Sequence, residues 1–219
     1  MEENLDSALS GFLLNAYCDK LTIEYLEKLK DYDYPTYIHS LNCGLYTALM
    51  CLNLKLDDDY SMLTVRGALL HDIGKLVVPK SILDKKDTLT PEEYNIIKTH
   101  VKRKYLDDIP TTDFGSIVDQ IIFMHHERVN GTGYPHGFKG DDIPLHAKIV
   151  QVSDSFSAMT ENRPYGHKYT AEEAVTELRW YNNFDEECID CLEVSLSNMH
   201  KQQRHSKDEF IKHTILSWT

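Results

Sequence analysis

Hydrophobic residues recur every three to four positions along much of the chain, the spacing that is typical of amphipathic α-helices. In the segment 10–29 the apolar positions are four residues apart: Leu13, Tyr17, Leu21, Tyr25 and Leu29. This spacing predicts one helix over 10–29. Similar patterns predict helices over 40–54 and 59–72, and the second of these carries His71 and Asp72 at its C-terminal end.

Two capping boxes mark further helix starts. Thr90 and Thr170 are each followed three residues later by glutamate, whose side chain can return to the backbone of the threonine. Proline after Thr90 strengthens the first signal, because proline suits the first turn of a helix. The two boxes predict helices over about 90–100 and 170–180.

The remaining segments complete a helical chain with one long loop. A helix is predicted over 114–126, and Pro144 opens another that carries Asp154 in its interior. Between them, residues 130–140 contain four glycines and a proline, which is loop composition. The chain from Asp185 onward has helical spacing, and strand signals are scarce. The predicted fold class is therefore all-α.

Charge and cysteine content narrow the classes of function. The 219 residues carry a formal net charge of -12, which argues against non-specific binding to DNA or to an anionic membrane. The N-terminus has no secretory signal, and no apolar run is long enough to span a bilayer. The five cysteines are odd in number and scattered, as expected for a reduced, cytoplasmic protein. The pair Cys188 and Cys191 has helical surroundings and is interpreted as buried helix cysteines, not as a redox pair or half a zinc site.

Histidines and aspartates supply the candidate chemistry. Five histidines stand at the ends of predicted helices or within them, where they can converge: His39, His71, His100, His125 and His126. Asp72 follows His71 directly, and adjacent helical side chains point about 100° apart. The doublet therefore suits two neighbouring metal ions, the imidazole binding one and the carboxylate bridging both.

A metal site also explains two carboxylates in apolar surroundings. Asp154 lies within VQVSDSF and Asp72 follows the apolar GALL, and burying an unpaired carboxylate costs several kcal/mol. Taken singly, His39 or His100 is more often a capping or surface histidine than a ligand. Imidazole and carboxylate ligands together favour iron, manganese, zinc or nickel over calcium.

The order of these motifs resembles the HD-GYP family, a branch of the HD-domain phosphohydrolases. The resemblance rests on His71-Asp72-Ile73-Gly74-Lys75, His100, His125-His126-Glu127, Gly133-Tyr134-Pro135, Asp154 and Arg163-Pro164-Tyr165. It implies an HD-domain helical bundle over 36–195, with an N-terminal helical extension over 1–35 and a C-terminal helical tail over 196–219.

The resemblance also implies two divalent metal ions, of iron or manganese with zinc or nickel as alternatives. One ion would be bound by His39, His71, Asp72 and Asp154, and the other by Asp72, His100, His125 and His126. Lys75 would lie beside the substrate phosphate, and the other substrate-binding candidates are Tyr134, Lys148, Arg163 and Lys168. Family members hydrolyse cyclic di-GMP to pGpG or GMP, and some act on related cyclic dinucleotides. The glycine-rich loop is linked to contacts with GGDEF proteins, and a homodimer is compatible with this interpretation.

Several positions depart from the family pattern. Pro35 stands where some members have the glutamate that supports a third metal, so two metals are expected. Uncharged residues replace acidic or basic ones at Asn130, Ser157 and Gly166, and Lys148 replaces an arginine. These changes leave two alternatives to an active phosphodiesterase open. One is a catalytically weak module that binds a cyclic dinucleotide or a signalling partner, and the other is a hydrolase of a different nucleotide or phosphate monoester.

Overall fold

The computed structural model describes residues 5–161 and 168–202, and the described chain is built from helices. Its α-helices are α1 Leu5–Tyr17, α2 Lys20–Tyr32, α3 Tyr34–Leu54, α4 Asp58–Leu70, α5 Lys80–Leu83, α6 Pro91–Ile97, α7 Ser116–Met124, α8 Leu145–Thr160, α9 Ala171–Tyr181 and α10 Glu186–Gln202. Across the described residues, β-pairing is limited to an isolated bridge between Asn130 and Lys139. The predicted all-α fold class is confirmed. No helix in the described segments is both long and apolar enough to cross a membrane.

The single helix predicted over 10–29 is wrong, because the chain forms α1 and α2 with a break between them. Asp19 causes the break. Its carboxylate accepts a hydrogen bond from the backbone N–H of Thr22 at 3.0 Å, so it caps the N-terminus of α2. The apolar spacing continues across the break because both helices face the same core.

Both predicted capping boxes are confirmed. Thr90 and Thr170 each accept from the backbone of the glutamate three residues later, and that glutamate accepts from the backbone of the threonine. The helix predicted to run through His100 changes type before it ends. α6 stops at Ile97, and Lys98–Val101 continues as a 3₁₀ turn that carries His100.

Helix α3 is the central element, because it contributes to both large hydrophobic clusters. One cluster gathers side chains from α1, α2, α3, α4 and α7, and the other joins α8, α9 and α10 to Met50 of α3. Cys188 and Cys191 are buried in the second cluster as free thiols, so the interpretation of this pair as helix cysteines is confirmed. His39 therefore projects from a helix that is fixed on both sides by packed core.

Candidate metal centre

The seven proposed ligands lie within or at the ends of α3, α4, α7 and α8 and in the 3₁₀ turns that follow α4 and α6. His71 is the C-terminal cap of α4, Asp72 opens the 3₁₀ turn Ile73–Val77, and His125 is the C-terminal cap of α7. The other four proposed ligands are His39 in α3, His100 in the 3₁₀ turn after α6, His126 after α7, and Asp154 in α8. Helix ends suit ligands because the backbone there can turn a side chain out of the helical register.

The structure brings these side chains together in two groups that share Asp72. One group contains Asp72, His100, His125 and His126, and the other contains His39, His71 and Asp72, with ligand atoms in each group within 4.8 Å of one another. The two oxygens of Asp72 face different groups. Oδ1 lies 3.3 Å from Nε2 of His100, and Oδ2 lies 3.4 Å from Nε2 of His71.

Asp154 completes the group around His39. Its Oδ1 lies 2.9 Å from Nε2 of His39 and 3.8 Å from Nε2 of His71. Burial would raise the pKa of Asp154, but its hydrogen bond with His39 and the charge of His71 hold the pKa well below its usual value. The carboxylate is therefore ionised, as a metal ligand must be.

Hydrogen bonds at Nδ1 orient the histidine rings. Nδ1 of His71 donates to the carbonyl of Ala68 at 2.7 Å, and Nδ1 of His100 donates to that of Ile97 at 2.6 Å. Nδ1 of His125 lies 3.1 Å from the carbonyl of Ile122. Each bond fixes the tautomer and leaves the lone pair of Nε2 directed into the cluster, as is usual for metal-binding histidines.

Two buried polar atoms at the centre fit a cation. Nε2 of His71 and Oδ1 of Asp72 are buried and have no hydrogen-bond partner among the described residues. Buried polar atoms without partners are rare, because leaving them unpaired is costly. A divalent cation would satisfy both atoms, so the residues present fit a metal.

Burial and mutual charge set the protonation of the cluster. Burial lowers the pKa of His125 to about 3, with the charges of His71 and His100 adding to the effect, and burial also lowers the pKa of His126. Neutral imidazoles are the form that binds metal. Burial opposes the ionisation of Asp72, but the ammonium of Lys75, 2.7 Å from Oδ2, acts together with His71 and His100 to hold the pKa of Asp72 well below its usual value.

The loop after α7 packs against the cluster of proposed ligands through Tyr134. The ring of Tyr134 stacks on that of His126, with centroids 4.7 Å apart. The carboxylate of Glu127 is fully buried and accepts from the backbone N–H groups of His136, Gly137 and Phe138. One carboxylate therefore anchors three consecutive backbone N–H groups of the loop, and the aromatic face of Tyr134 contacts a proposed ligand.

A cleft of about 1080 Å³ opens onto the cluster. Its lining includes four of the seven proposed ligands, namely His39, Asp72, His126 and Asp154, together with four cationic side chains, namely Lys75, Lys85, Arg128 and Lys168. Lys85 and Arg128 were not among the sequence-based candidates. Arg128 directly follows the His125-His126-Glu127 motif, so its position next to the ligands was the available signal.

Comparison with known proteins identifies the domain. A family model described as "HD domain" matches residues 32–188. The cyclic di-GMP phosphodiesterase PA4108 of Pseudomonas aeruginosa is 36% identical over 162 residues, which are 73% of this chain and 39% of that protein. A cyclic di-GMP phosphodiesterase of Thermotoga maritima is 32% identical over 201 residues, 87% of this chain and 53% of that protein. The chain belongs to the HD-domain family and to its HD-GYP branch.

A solved structure agrees with the HD fold. The HD domain of the phosphodiesterase PgpH of L. monocytogenes, solved in complex with cyclic di-AMP, superposes with a TM-score of 0.58 at 20% identity. That match covers 84% of this chain and 98% of the PgpH chain. The present chain spans about two fifths to one half of the length of the two curated relatives.

Lys148, one of the predicted substrate-binding residues, forms an ion pair with an acidic residue. Its ammonium lies 3.0 Å from Oδ2 of Asp185, and it does not belong to the cleft lining. The ion pair ties α8 to the residue that precedes α10, which gives Lys148 a structural partner. Its predicted substrate-binding role stays a prediction. Lys168 does line the cleft, while Arg163 and Gly166 lie outside the described residues.

Asn130 and Ser157, two of the residues that differ from the HD-GYP pattern, form hydrogen bonds with nearby residues. Oδ1 of Asn130 accepts from the backbone N–H and the hydroxyl of Thr132, so the asparagine still shapes the loop. The hydroxyl of Ser157 donates to Oε1 of Glu161 at 2.6 Å. Sequence reasoning missed Glu161, whose Oε1 also lies 3.1 Å from Nδ1 of His39.

Proposed function

We propose that this HD domain is a metal-dependent phosphodiesterase that hydrolyses cyclic di-GMP to pGpG or GMP, with related cyclic dinucleotides as alternative substrates. The observation that carries the proposal is the position of Asp72, whose two oxygens face two ligand groups at the base of one cleft. The names of the two curated relatives support the substrate class. The cleft volume of about 1080 Å³ lies slightly above the range of about 300–1,000 Å³ that is typical of small-molecule sites, which favours a dinucleotide over inorganic phosphate.

The side chains around Asp72 suit attack on a phosphodiester. Two divalent ions, of iron or manganese with zinc or nickel as alternatives, would supply an activated water and polarise the phosphate oxygens. Lys75 is held by Asp72, and although burial opposes its charge, the carboxylate raises its pKa. Its ammonium therefore stays charged in the cleft and can stabilise negative charge that develops on a phosphate.

The cations of the cleft explain how an acidic chain attracts an anionic substrate. Arg128 and Lys168 join Lys75 along the lining, and Lys85 is held by Glu93 at 2.6 Å. A local positive field can oppose a net charge of -12, because short-range charges dominate inside a cleft. Arg163 remains a proposed phosphate clamp. Contact with a GGDEF-type protein and a homodimer remain predictions on which this function does not depend.

Turnover by protein purified without oxygen tests the proposal. We expect protein loaded with iron or manganese to convert cyclic di-GMP to linear products, measured by chromatography, with cyclic di-AMP and mixed cyclic dinucleotides assayed in parallel. Asp72→Ala should abolish turnover, and Asp59→Ala, which removes an exposed aspartate of α4, should leave it unchanged. Full activity in Asp72→Ala would rule out the mechanism. Binding of a cyclic dinucleotide without product, with every metal, would instead favour the binding module.

A further inference from the structure

Glu161 links α3 and α8, the helices that carry His39 and Asp154. It is the first residue after α8, and its backbone N–H still bonds the carbonyl of Ser157. Its Oε1 receives three hydrogen-bond donors from two helices. These are Nδ1 of His39 and Nδ2 of Asn42, each at 3.1 Å, and the hydroxyl of Ser157 at 2.6 Å.

The hydrogen bond at Nδ1 of His39 differs from the bonds at Nδ1 of the other proposed histidine ligands described above. Nδ1 of His71, His100 and His125 meets backbone carbonyls of its own helical segment, whereas Nδ1 of His39 meets a carboxylate from another helix. A carboxylate that accepts from Nδ1 orients the ring and makes Nε2 a stronger donor to a metal. Nε2 of His39 is the atom that lies beside Asp154.

Ser157, one helical turn before Glu161, suits a carboxylate at position 161. An acidic residue at 157 would bring a second negative charge close to Glu161, and like charges at that separation repel. Serine supplies a donor instead. The three donors that meet at Oε1 favour the ionised form of the carboxylate.

We propose that Glu161 is a positioning residue that holds the ring of His39 so that Nε2 faces the metal centre beside Asp154. The role rests on the metal site under "Proposed function", but it concerns metal affinity and not turnover. Glu161 acts through His39, so the number of metal ions bound at saturation should not depend on it.

Manganese titrations of metal-free protein, followed by electron paramagnetic resonance, test this role. Glu161→Ala should weaken the affinity of the site at His39 by about 10–100-fold, in line with the loss of other residues that orient metal ligands. Glu161→Gln keeps an uncharged acceptor oxygen for Nδ1 of His39 and should lose less. Glu27→Ala removes an exposed glutamate of α2 and should bind manganese as the unmodified protein does.

A ring-proton signal separates positioning from a general loss of structure. In zinc-loaded protein, the Nδ1–H of His39 should give a hydrogen-bonded resonance in nitrogen-correlated spectra, present in Glu161→Gln and lost in Glu161→Ala. Unchanged affinity in a folded Glu161→Ala variant overturns the proposal. A lower number of bound ions at saturation also overturns it, because Glu161 would then be a ligand. If the unmodified protein binds no metal, the metal site itself fails instead.

Discussion

At the scale of single residues, the burial of a histidine side chain makes the stability of the fold depend on pH. His146 lies in the first turn of α8 and is 5% exposed, with the hydroxyl of Tyr60 3.2 Å from its Nδ1. Burial lowers its pKa to about 4, below the value of about 6.5 that an unfolded chain gives. Between these two values the unfolded chain takes up a proton at this position and the folded protein does not.

Protonation of His146 in the unfolded chain should therefore make the fold less stable as the pH falls from about 6.5 to about 4. Above about pH 6.5 this loss of stability should be absent. We expect His146→Gln to remove up to about 1.4 kcal/mol per pH unit from the slope of unfolding free energy against pH. Urea unfolding of metal-free protein at several pH values measures both slopes. Parallel curves for the two proteins would show that His146 is not the group responsible.

At the scale of elements, the two 3₁₀ turns that carry Asp72 and His100 approach each other at Gly74. A Cβ added to Gly74 would lie 1.9 Å from the backbone oxygen of His100, and backbone cannot move aside as a flexible side chain can. Gly74→Ala should force the turns apart. We expect a loss of about 1–3 kcal/mol in stability and about tenfold weaker manganese binding, measured by urea unfolding and metal titration.

Gly11→Ala is the matched control for this substitution. A Cβ at Gly11, within α1, meets no atom within 4 Å, and alanine favours a helix interior over glycine by about 0.5–1 kcal/mol. The control should leave metal affinity unchanged and stability equal or higher. Metal binding by Gly74→Ala that matches the control would mean that the turns can separate without moving His100.

The sequence predicted elements best where the signal is local. The capping boxes at Thr90 and Thr170 lie within four residues of the helix that each starts, so their position could be read directly. Asp19 is also a local cap, but the apolar spacing on either side of it concealed the break. The ion pair of Lys148 was not predicted, because its partner, Asp185, is 37 positions away and only the packing of α8 against α10 brings them together.

The same distinction applies to the candidate site. The proposed ligands were found because they stand in motifs with fixed order, and the structure places them together. Glu161 was missed because its contact with His39 spans 122 positions and depends on where α8 ends against α3. The stacking of Tyr134 on His126 was not predicted, because it depends on the path of the loop between them.

At the scale of the whole molecule, the metal centre joins helices from both hydrophobic clusters. Its proposed ligands range from His39 in α3 to Asp154 in α8, and α8 belongs to the second cluster while α4 and α7 belong to the first. An unfolded chain cannot assemble ligands so far apart in sequence. Metal ions should therefore bind the folded state almost exclusively and stabilise it by mass action.

We expect manganese at about 100 times its dissociation constant to stabilise the fold by about 2.7 kcal/mol. For a chain of this size, each kcal/mol raises the melting temperature by about 2–4 °C, so the shift should reach roughly 5–11 °C. Scanning calorimetry with and without manganese measures it, and a chelator should reverse it. Calcium at the same concentration should have little effect, because histidine-rich sites suit it poorly.

Asp154→Ala should keep the metal-free melting temperature within a few degrees and reduce the manganese shift. An equal shift in that variant would place the stabilising ion away from α8.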